Sequence, residues 1–189
     1  MQETSRILAL SRRVNLPSGQ RTTTQKSPNK QFWWSDETIE SKNPLGASGG
    51  YRFLEHVTDA LVEAWGETME EAFSQAGLAL FEIMLDTKNV HPKTNEEIQT
   101  SGHDEKELLY NYLEELLLLF EVKQLALGDF TVSSITPTQG EIRLKGKASG
   151  EPYDRTRHNG KVEVKGITYH LMEIEKHPGK VTVRFLLDL

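Results

Sequence analysis

Two segments with helical periodicity, each introduced by a capping signal, constrain the fold of this chain more than any other feature of its sequence. Thr68 is followed three residues later by Glu71, which is the spacing of a capping box. Asp104 and Glu107 repeat that spacing, with Asp104 as the expected cap. Apolar residues then recur on one face of each segment: Ala72, Phe73, Ala76, Leu80 and Met84 in the first, and Leu108, Leu109, Tyr112, Leu113, Leu116 and Phe120 in the second. The pattern predicts two amphipathic helices that bury these stripes in a core.

The segments around the two helices favour strands. Residues 130–135 and 141–147 are typical of a hairpin around the turn at 137–140. Residues 162–167 predict a short strand, and residues 181–188 predict a last strand with apolar side chains at alternate positions. Because strands and helices do not alternate regularly, the pattern predicts a single α+β domain with a mixed or antiparallel sheet and two amphipathic helices.

The first 49 residues differ in composition from the rest of the chain. They carry a net charge of +3 in a chain whose total is −6, so the remainder is strongly acidic at −9. Their low hydrophobicity and scattered prolines predict a disordered N-terminal tail. The same Arg-rich, Ser-rich and acid-poor composition is also typical of a targeting segment, so we expect a cytoplasmic or nuclear protein, or an organellar one if the tail is an address. Gly46–Gly50 predicts a flexible linker, which separates a tail at 1–49 from a folded domain at 50–189.

Phe32, Trp33 and Trp34 are the one strongly apolar feature late in this tail. Aromatic side chains can stack on nucleic-acid bases, but Asp36 and Glu37 follow directly, and the basic charge that such a site needs is missing. The trio therefore favours a docking patch, either against the chain's own domain or against a partner.

Composition also narrows the chemistry. The chain has no cysteine, which excludes disulfides, thiolate metal sites and cysteine nucleophiles and leaves oxygen or imidazole as metal ligands. Its acidic balance argues against stable direct binding of nucleic acid. The longest apolar run, Leu116–Phe120, is far shorter than the roughly 20 residues needed to cross a bilayer, so no membrane association is expected.

Carboxylates near the C-terminus are the first candidate site. The alternation of the last strand places Asp188 on the face opposite Phe185 and Leu187, one residue from the α-carboxylate of Leu189. Two carboxylates at a strand end repel each other unless a cation or a basic group neutralises them. A third carboxylate, from Asp59, would complete an oxygen-rich pocket suited to Ca²⁺ or Mg²⁺. Taken alone, the residues favour a solvated C-terminus over a metal site.

Five blocks of sequence, in order along the chain, resemble the archease family, whose members are protein cofactors of the RtcB-type tRNA-splicing RNA ligase. The resemblance covers the chain from Tyr51 to its last residue. The blocks are Glu55-His56-Val57-Thr58-Asp59, Trp65–Phe73, Gly150–Asp154 with Arg157-His158, Val164–His170, and Leu187-Asp188-Leu189.

The resemblance implies an activator rather than an enzyme. Archeases promote guanylylation of the ligase from GTP and its repeated turnover in joining 2′,3′-cyclic phosphate or 3′-phosphate ends to 5′-hydroxyl RNA ends. The family's divalent metal, for which we expect Ca²⁺ with Mg²⁺ or Mn²⁺ as alternatives, would be held by Asp59, Asp188 and Leu189. The family's activating lysine falls on Lys165, and His56 is a supporting candidate.

Two departures from the family pattern fall within these blocks. The family reads His-Thr-Ala-Asp where this chain has His56-Val57-Thr58-Asp59, so the carboxylate is kept while the hydroxyl moves by one position. The family has alanine where this chain has Gly166.

The residues themselves leave two other functions open. A small metal-dependent phosphohydrolase could use Asp59 and Asp188 with His56 or His170 as general base. An RNA-binding chaperone is the third class, and the acidic charge of the domain disfavours it.

Overall fold

The computed structural model describes residues 48–54 and 59–189. Within these ranges the chain forms seven strands, two α-helices and a short 3₁₀ turn at Thr87–Asn89. The elements are β1 Gly50–Leu54, β2 Ala60–Gly66, α1 Met69–Met84, β3 Thr94–Gly102, α2 Glu105–Lys123, β4 Leu125–Pro137, β5 Ile142–Pro152, β6 Gly166–His177 and β7 Lys180–Asp188.

The strands form two antiparallel sheets. One has the order β1-β2-β7-β6 and the other the order β3-β5-β4. Each helix packs against strands of both sheets, α1 against β2 and β4, and α2 against β3 and β6. The helices therefore form a layer that both sheets share. The predicted α+β class and the antiparallel pairing are confirmed, and so is the β4–β5 hairpin, in which Pro137 pairs with Ile142. The division of the strands over two sheets has no signal in the sequence.

Both helices begin where the capping signals predict. The Thr68 hydroxyl accepts the backbone N–H of Glu71 at 3.2 Å, and the Asp104 carboxylate accepts that of Glu107 at 2.9 Å. The apolar stripes behind these caps lie in one core between the sheets. A fully buried Phe73 or Leu113 contributes about 1.5–3 kcal/mol relative to an exposed one, so the stripes hold both sheets to the helices.

The strand predicted at residues 162–167 begins later than its valines indicate. Residues 161–165 have no regular structure, and β6 begins at Gly166. Val164 is nevertheless buried in the core. An irregular segment that packs one apolar side chain inward thus produces the same alternation as a strand, which is why the prediction was wrong here.

The predicted linker at Gly46–Gly50 is also corrected at its C-terminal end. Gly49 and Gly50 are buried, and Gly50 already belongs to β1. A side chain at position 49 would place its Cβ 2.9 Å from the Glu71 carboxylate and 2.9 Å from the Trp65 carbonyl oxygen. Glycine is therefore required here for close packing, not for flexibility.

The tail predicted at 1–49 lies mostly outside the described residues, which begin at Ser48. The docking patch at Phe32, Trp33 and Trp34 lies outside them too, so both stay predictions. Within the described ranges, neither helix is long and apolar enough to cross a membrane.

Candidate functional site

Strand pairing brings Asp59 and Asp188 to the same end of the four-stranded sheet. Ala60 of β2 pairs with Leu187 of β7, and the antiparallel register continued by one residue sets Asp59 opposite Asp188. Asp59 and Asp188, which are far apart in the sequence, therefore both lie next to the last residue pair of β2 and β7.

Asp188 lies on the face of this sheet that points away from the helices. Phe185 and Leu187 are fully buried against the core, whereas Asp188 is exposed. Asp59 lies at a bend directly before the buried Ala60 and is half-buried. The outward direction predicted for Asp188 is confirmed.

Strand β6 adds a basic group from the other side of β7. Gly166 pairs with Asp188, and the backbone N–H of Lys165 donates to the Asp188 carbonyl oxygen at 2.8 Å. The side chain of Lys165 is exposed, and its Nζ donates to the main-chain oxygen of Leu189 at 2.6 Å. Leu189 is the residue whose carboxylate the sequence analysis predicts as a metal ligand. One of the predicted metal ligands is thus in contact with the predicted activating lysine.

The glycine at position 166 leaves this arrangement unchanged. A Cβ added to Gly166 would meet no atom within 4 Å. The alanine expected from the family resemblance would fit here without displacing Lys165 or Asp188.

The donor chemistry of the strand end fits a hard divalent cation. Asp59, Asp188 and the terminal carboxylate carry three formal negative charges, against one positive charge on Lys165. Carboxylate oxygens are the ligands that Ca²⁺ and Mg²⁺ prefer. Among the residues that the structure describes, no group of three or more His, Asp or Glu side chains could hold a metal ion. The predicted set has only two such side chains, since its third ligand is a main-chain carboxylate, and its assignment as a metal site stays a prediction.

The two candidate histidines differ in what the structure says of them. His56 lies outside the described residues. His170 is exposed on β6, where its backbone N–H donates to the Thr168 hydroxyl at 3.1 Å.

A buried charged cluster around Glu151 lies at the end of β5. Glu151 is only 1% exposed, and its carboxylate forms an ion pair with Arg157 and accepts the Nζ of Lys93 at 2.8 Å and the backbone N–H of His91 at 2.9 Å. His158 is fully buried, with Nε2 3.2 Å from the same carboxylate.

The electrostatics of this cluster favour a neutral histidine. Burial, followed by the charge of Arg157, lowers the pKa of His158 below its ordinary value of 6.5. The His158 carbonyl in turn accepts the backbone N–H of Asp86 at 2.9 Å. The cluster therefore fastens the loop after β5 to the loop after α1, and it accounts for the Gly150–His158 block as structure and not as chemistry.

A row of charges across the outward face of the four-stranded sheet was missed by the sequence analysis. Glu63 of β2 lies between Arg52 of β1, at 2.6 Å, and Arg184 of β7, at 2.9 Å, and Arg184 continues to Glu173 of β6 at 2.5 Å. The only available signal was the lone acid within the apolar run of β2. Each ion pair of the row joins residues that are directly opposite in the strand register, so the row matches the pairing of all four strands.

Comparisons with known proteins converge on one family. The sequence model of the Archease protein family matches residues 51–189. The archease of Thermococcus gammatolerans is 44% identical over 140 residues, which are 74% of this chain and 98% of that protein. The archease of Pyrococcus furiosus is 43% identical over 128 residues, or 68% of this chain and 89% of that protein. The solution structure of Methanobacterium thermoautotrophicum protein 1598 superposes with a TM-score of 0.64 at 31% identity, covering 74% of this chain and 98% of that one.

Proposed function

This chain belongs to the archease family, and from that premise we propose that it activates an RtcB-type tRNA-splicing RNA ligase. In this role it promotes guanylylation of the ligase from GTP and its multiple turnover in joining cyclic-phosphate or 3′-phosphate ends to 5′-hydroxyl RNA ends. The chain itself is not the enzyme.

One observation carries the proposal. The end of the four-stranded sheet brings Lys165 within 2.6 Å of the terminal carboxylate of Leu189 and sets Asp59 across from Asp188. These are the four residues that the family resemblance implies in activation and metal binding. Their positions at the ends of three neighbouring strands support a single activating site over a set of unrelated surface groups.

We assign Asp59, Asp188 and the Leu189 carboxylate as holders of a divalent cation. A bound cation would supply positive charge for phosphate oxygens at this strand end. The exposed ammonium of Lys165, directly before the neighbouring strand β6, is then the group available to the ligase or to its nucleotide. His56 stays a supporting candidate.

Charge supports a protein partner over a bound RNA. The domain carries a net charge near −9, which opposes the phosphate backbone of tRNA. An RNA ligase must present a basic cleft to its own substrate, and an acidic partner is attracted to such a cleft. The strand end with its two aspartates is well suited to reach into it.

The test is a guanylylation assay with the purified full chain, the ligase, GTP and RNA that carries a 2′,3′-cyclic phosphate. We expect the chain to increase the yield of guanylylated ligase and to allow more than one ligation per ligase, and Lys165→Ala and Asp188→Asn to lose most of that effect. Lys147→Ala, which removes an exposed lysine on the other sheet, is the matched control and should activate fully.

Two results would overturn the proposal. Hydrolysis of GTP or of the RNA end by the chain without ligase would favour the metal-dependent phosphohydrolase. Ligase turnover that does not change when the chain is added would exclude an activator.

A further inference from the structure

Strand β6 contains a large bulge close to the proposed activating site. Thr168 pairs with Leu186, and the next paired residue, Glu173, is opposite Arg184. Four residues of β6 thus span an interval that one residue of β7 spans. A bulge usually inserts a single residue, so this insertion of three makes the segment project from the sheet.

The bulge holds a strained backbone without burying the side chain that bears the strain. Leu171 has φ of 58°, in the left-handed region that a bulky side chain rarely adopts. Its side chain is 42% exposed, so packing in the core does not account for the conformation. Strain that the core does not explain is concentrated at binding and catalytic sites.

The bulge also exposes an aromatic ring that is held in place. Tyr169 is 52% exposed, and its ring stacks on Tyr110 of α2 with 4.5 Å between the centroids and 6° between the planes. A rigid tyrosine supplies a large contact area at a low cost in conformational entropy, which is why tyrosines are frequent at the energetic centres of interfaces. Tyr169 and Leu171 are two of the four large apolar residues that are exposed within the described part of the chain.

Acidic side chains surround this apolar patch. Glu114 acts electrostatically on Tyr110, and Glu107 and Asp104 act on Tyr169. An exposed apolar centre with an acidic rim is complementary to a protein surface that has an apolar pocket among lysines and arginines.

The patch is continuous with the proposed activating site. Thr168, where the bulge begins, is two residues from Gly166, and Gly166 pairs with Asp188. Two residues of strand extend by about 7 Å. The bulge lies on the α2 side of β6 and Asp188 on the outward face, and β6 is the edge strand of its sheet. A partner surface that wraps around this edge can therefore cover both the bulge and the strand end.

We propose that the patch formed by Tyr110, Tyr169 and Leu171 is the surface on which the RNA ligase docks. This inference rests on the proposed function. It assigns binding of the ligase and activation of the ligase to two neighbouring surfaces of the chain. The bulge provides affinity for a basic surface of the ligase, and Lys165 with the carboxylates acts after docking.

The experiment measures two quantities with the full chain and the ligase: the dissociation constant of the complex, and guanylylation at saturating concentrations of the chain. Tyr169→Ser and Leu171→Asn should each raise the dissociation constant about tenfold or more, as truncation of an interface anchor does. Both variants should reach the full guanylylation level when enough protein is added. Lys165→Ala should do the reverse, with an unchanged dissociation constant and little activation.

Leu171→Asn separates binding from folding. Asparagine adopts positive φ more readily than leucine, so the variant should melt at the same temperature as the original chain or higher. Val122→Ser is the matched control, because Val122 is an exposed apolar residue on α2 that lies about three turns beyond Tyr110. It should bind the ligase as the unchanged chain does.

The outcomes are distinguishable. If the unchanged chain binds and activates the ligase while Tyr169→Ser and Leu171→Asn bind equally well, the docking surface is elsewhere and the proposed function stands. If the unchanged chain neither binds nor activates the ligase, the proposed function fails and this inference fails with it.

Discussion

The ammonium of Lys165 lies 2.6 Å from the main-chain oxygen of Leu189, so the last residue after β7 is joined to the residue that leads into β6. The positive charge of Lys165 offsets part of the repulsion expected among the carboxylates at this strand end. It also means that a cation bound by Asp59, Asp188 and the terminus would share that terminus with a lysine. The proposed activation and the proposed metal binding would therefore be coupled through one carboxylate.

Replacing Lys165 with alanine should separate the activating role of the lysine from its contribution to stability. An exposed ion pair contributes only about 0.2–1 kcal/mol, so thermal unfolding should shift little. Activation of the ligase should fall strongly.

The same variant tests the metal site. Removing the positive charge of Lys165 next to the carboxylates should leave the affinity for a divalent metal unchanged or raise it up to about fivefold, which corresponds to the upper energy of an exposed ion pair. Calorimetric titration with Ca²⁺ and Mn²⁺ checks this point. A loss of stability as large as the loss of activation would identify a structural lysine.

Extending the chain beyond Leu189 should weaken the metal site. Two added residues, Gly and Ser, convert the terminal carboxylate into an amide and remove one negative ligand. We expect the affinity for the divalent cation to fall about tenfold or more, as it does when a metal site is perturbed. Leu189→Ala without extension is the control, because it keeps the carboxylate and should keep the affinity. Equal affinity in the extended and original chains would show that the terminus is not a ligand.

Local signals in the sequence predicted the helices because their determinants are local. Thr68 and Asp104 cap the backbone within three residues of themselves, so neighbouring positions contain the whole interaction. Strand pairing is not local. Nothing near Ala60 indicates that it pairs with Leu187. Strand β2 shows no clear alternation because Leu61 and Trp65, which share the outward parity of Glu63, are apolar.

The candidate site could be predicted only in part for the same reason. Periodicity placed Asp188 on the outward face, but the meeting of Asp188 with Asp59 and Lys165 was implied by the family resemblance and not by spacing. The buried pairing of Glu151 with Arg157 and His158, and the bulge at Leu171, had no recognisable signal. Both depend on contacts that form only after the chain has folded.

Neutralising Glu151 should destabilise the domain strongly. Glu151→Gln removes a buried carboxylate that pairs with Arg157 and Lys93, and breaking a buried pair costs about 3–5 kcal/mol. Because both basic partners are partly exposed and can be solvated, we expect the lower end, about 3 kcal/mol. Urea unfolding monitored by circular dichroism measures the change. Glu97→Gln, on an exposed position of β3, is the control and should change stability little. An equally small effect of Glu151→Gln would contradict a stabilising role for the buried charged cluster.

His158 should make the domain less stable in weak acid. Burial and the charge of Arg157 lower the pKa of His158 in the folded state. Below about pH 6.5 the unfolded chain therefore binds a proton at this histidine that the folded chain does not bind. The free energy of unfolding should therefore fall as the pH drops through this range, by at most about 1.4 kcal/mol per pH unit, and level off below the folded-state pKa. Between pH 7 and pH 5, the free energy of unfolding of His158→Gln should depend less steeply on pH than that of the unchanged chain. This difference in slope is expected whatever the absolute stability of the variant. Parallel slopes for the two proteins would contradict the shift.

Gly49 should tolerate no side chain, in contrast to Gly166. A Cβ at position 49 would meet the Trp65 carbonyl oxygen at 2.9 Å, and that backbone atom cannot move away as a side chain can. We expect Gly49→Ala to cost about 1–3 kcal/mol, the range for overpacking a closed site. Gly166→Ala is the control, because nothing lies within 4 Å of its added Cβ. Comparable melting temperatures for the two variants would show that the start of the domain is loosely packed.

The same packing determines where the tail can be removed. The composition of residues 1–47 predicts that they bury too little apolar surface to offset the entropy of ordering them. Ser48, in contrast, donates its hydroxyl to the Glu71 carboxylate at 2.8 Å, next to the cap of α1.

A chain that begins at Ser48 should thus fold and activate the ligase like the full chain. A chain that begins at Tyr51 should unfold at a lower temperature, because it lacks that hydrogen bond and the first residue of β1. Thermal unfolding and the guanylylation assay on both truncations measure this difference. A large fall in activation for the folded Ser48 chain would show that the tail, with Phe32, Trp33 and Trp34, takes part in binding the partner.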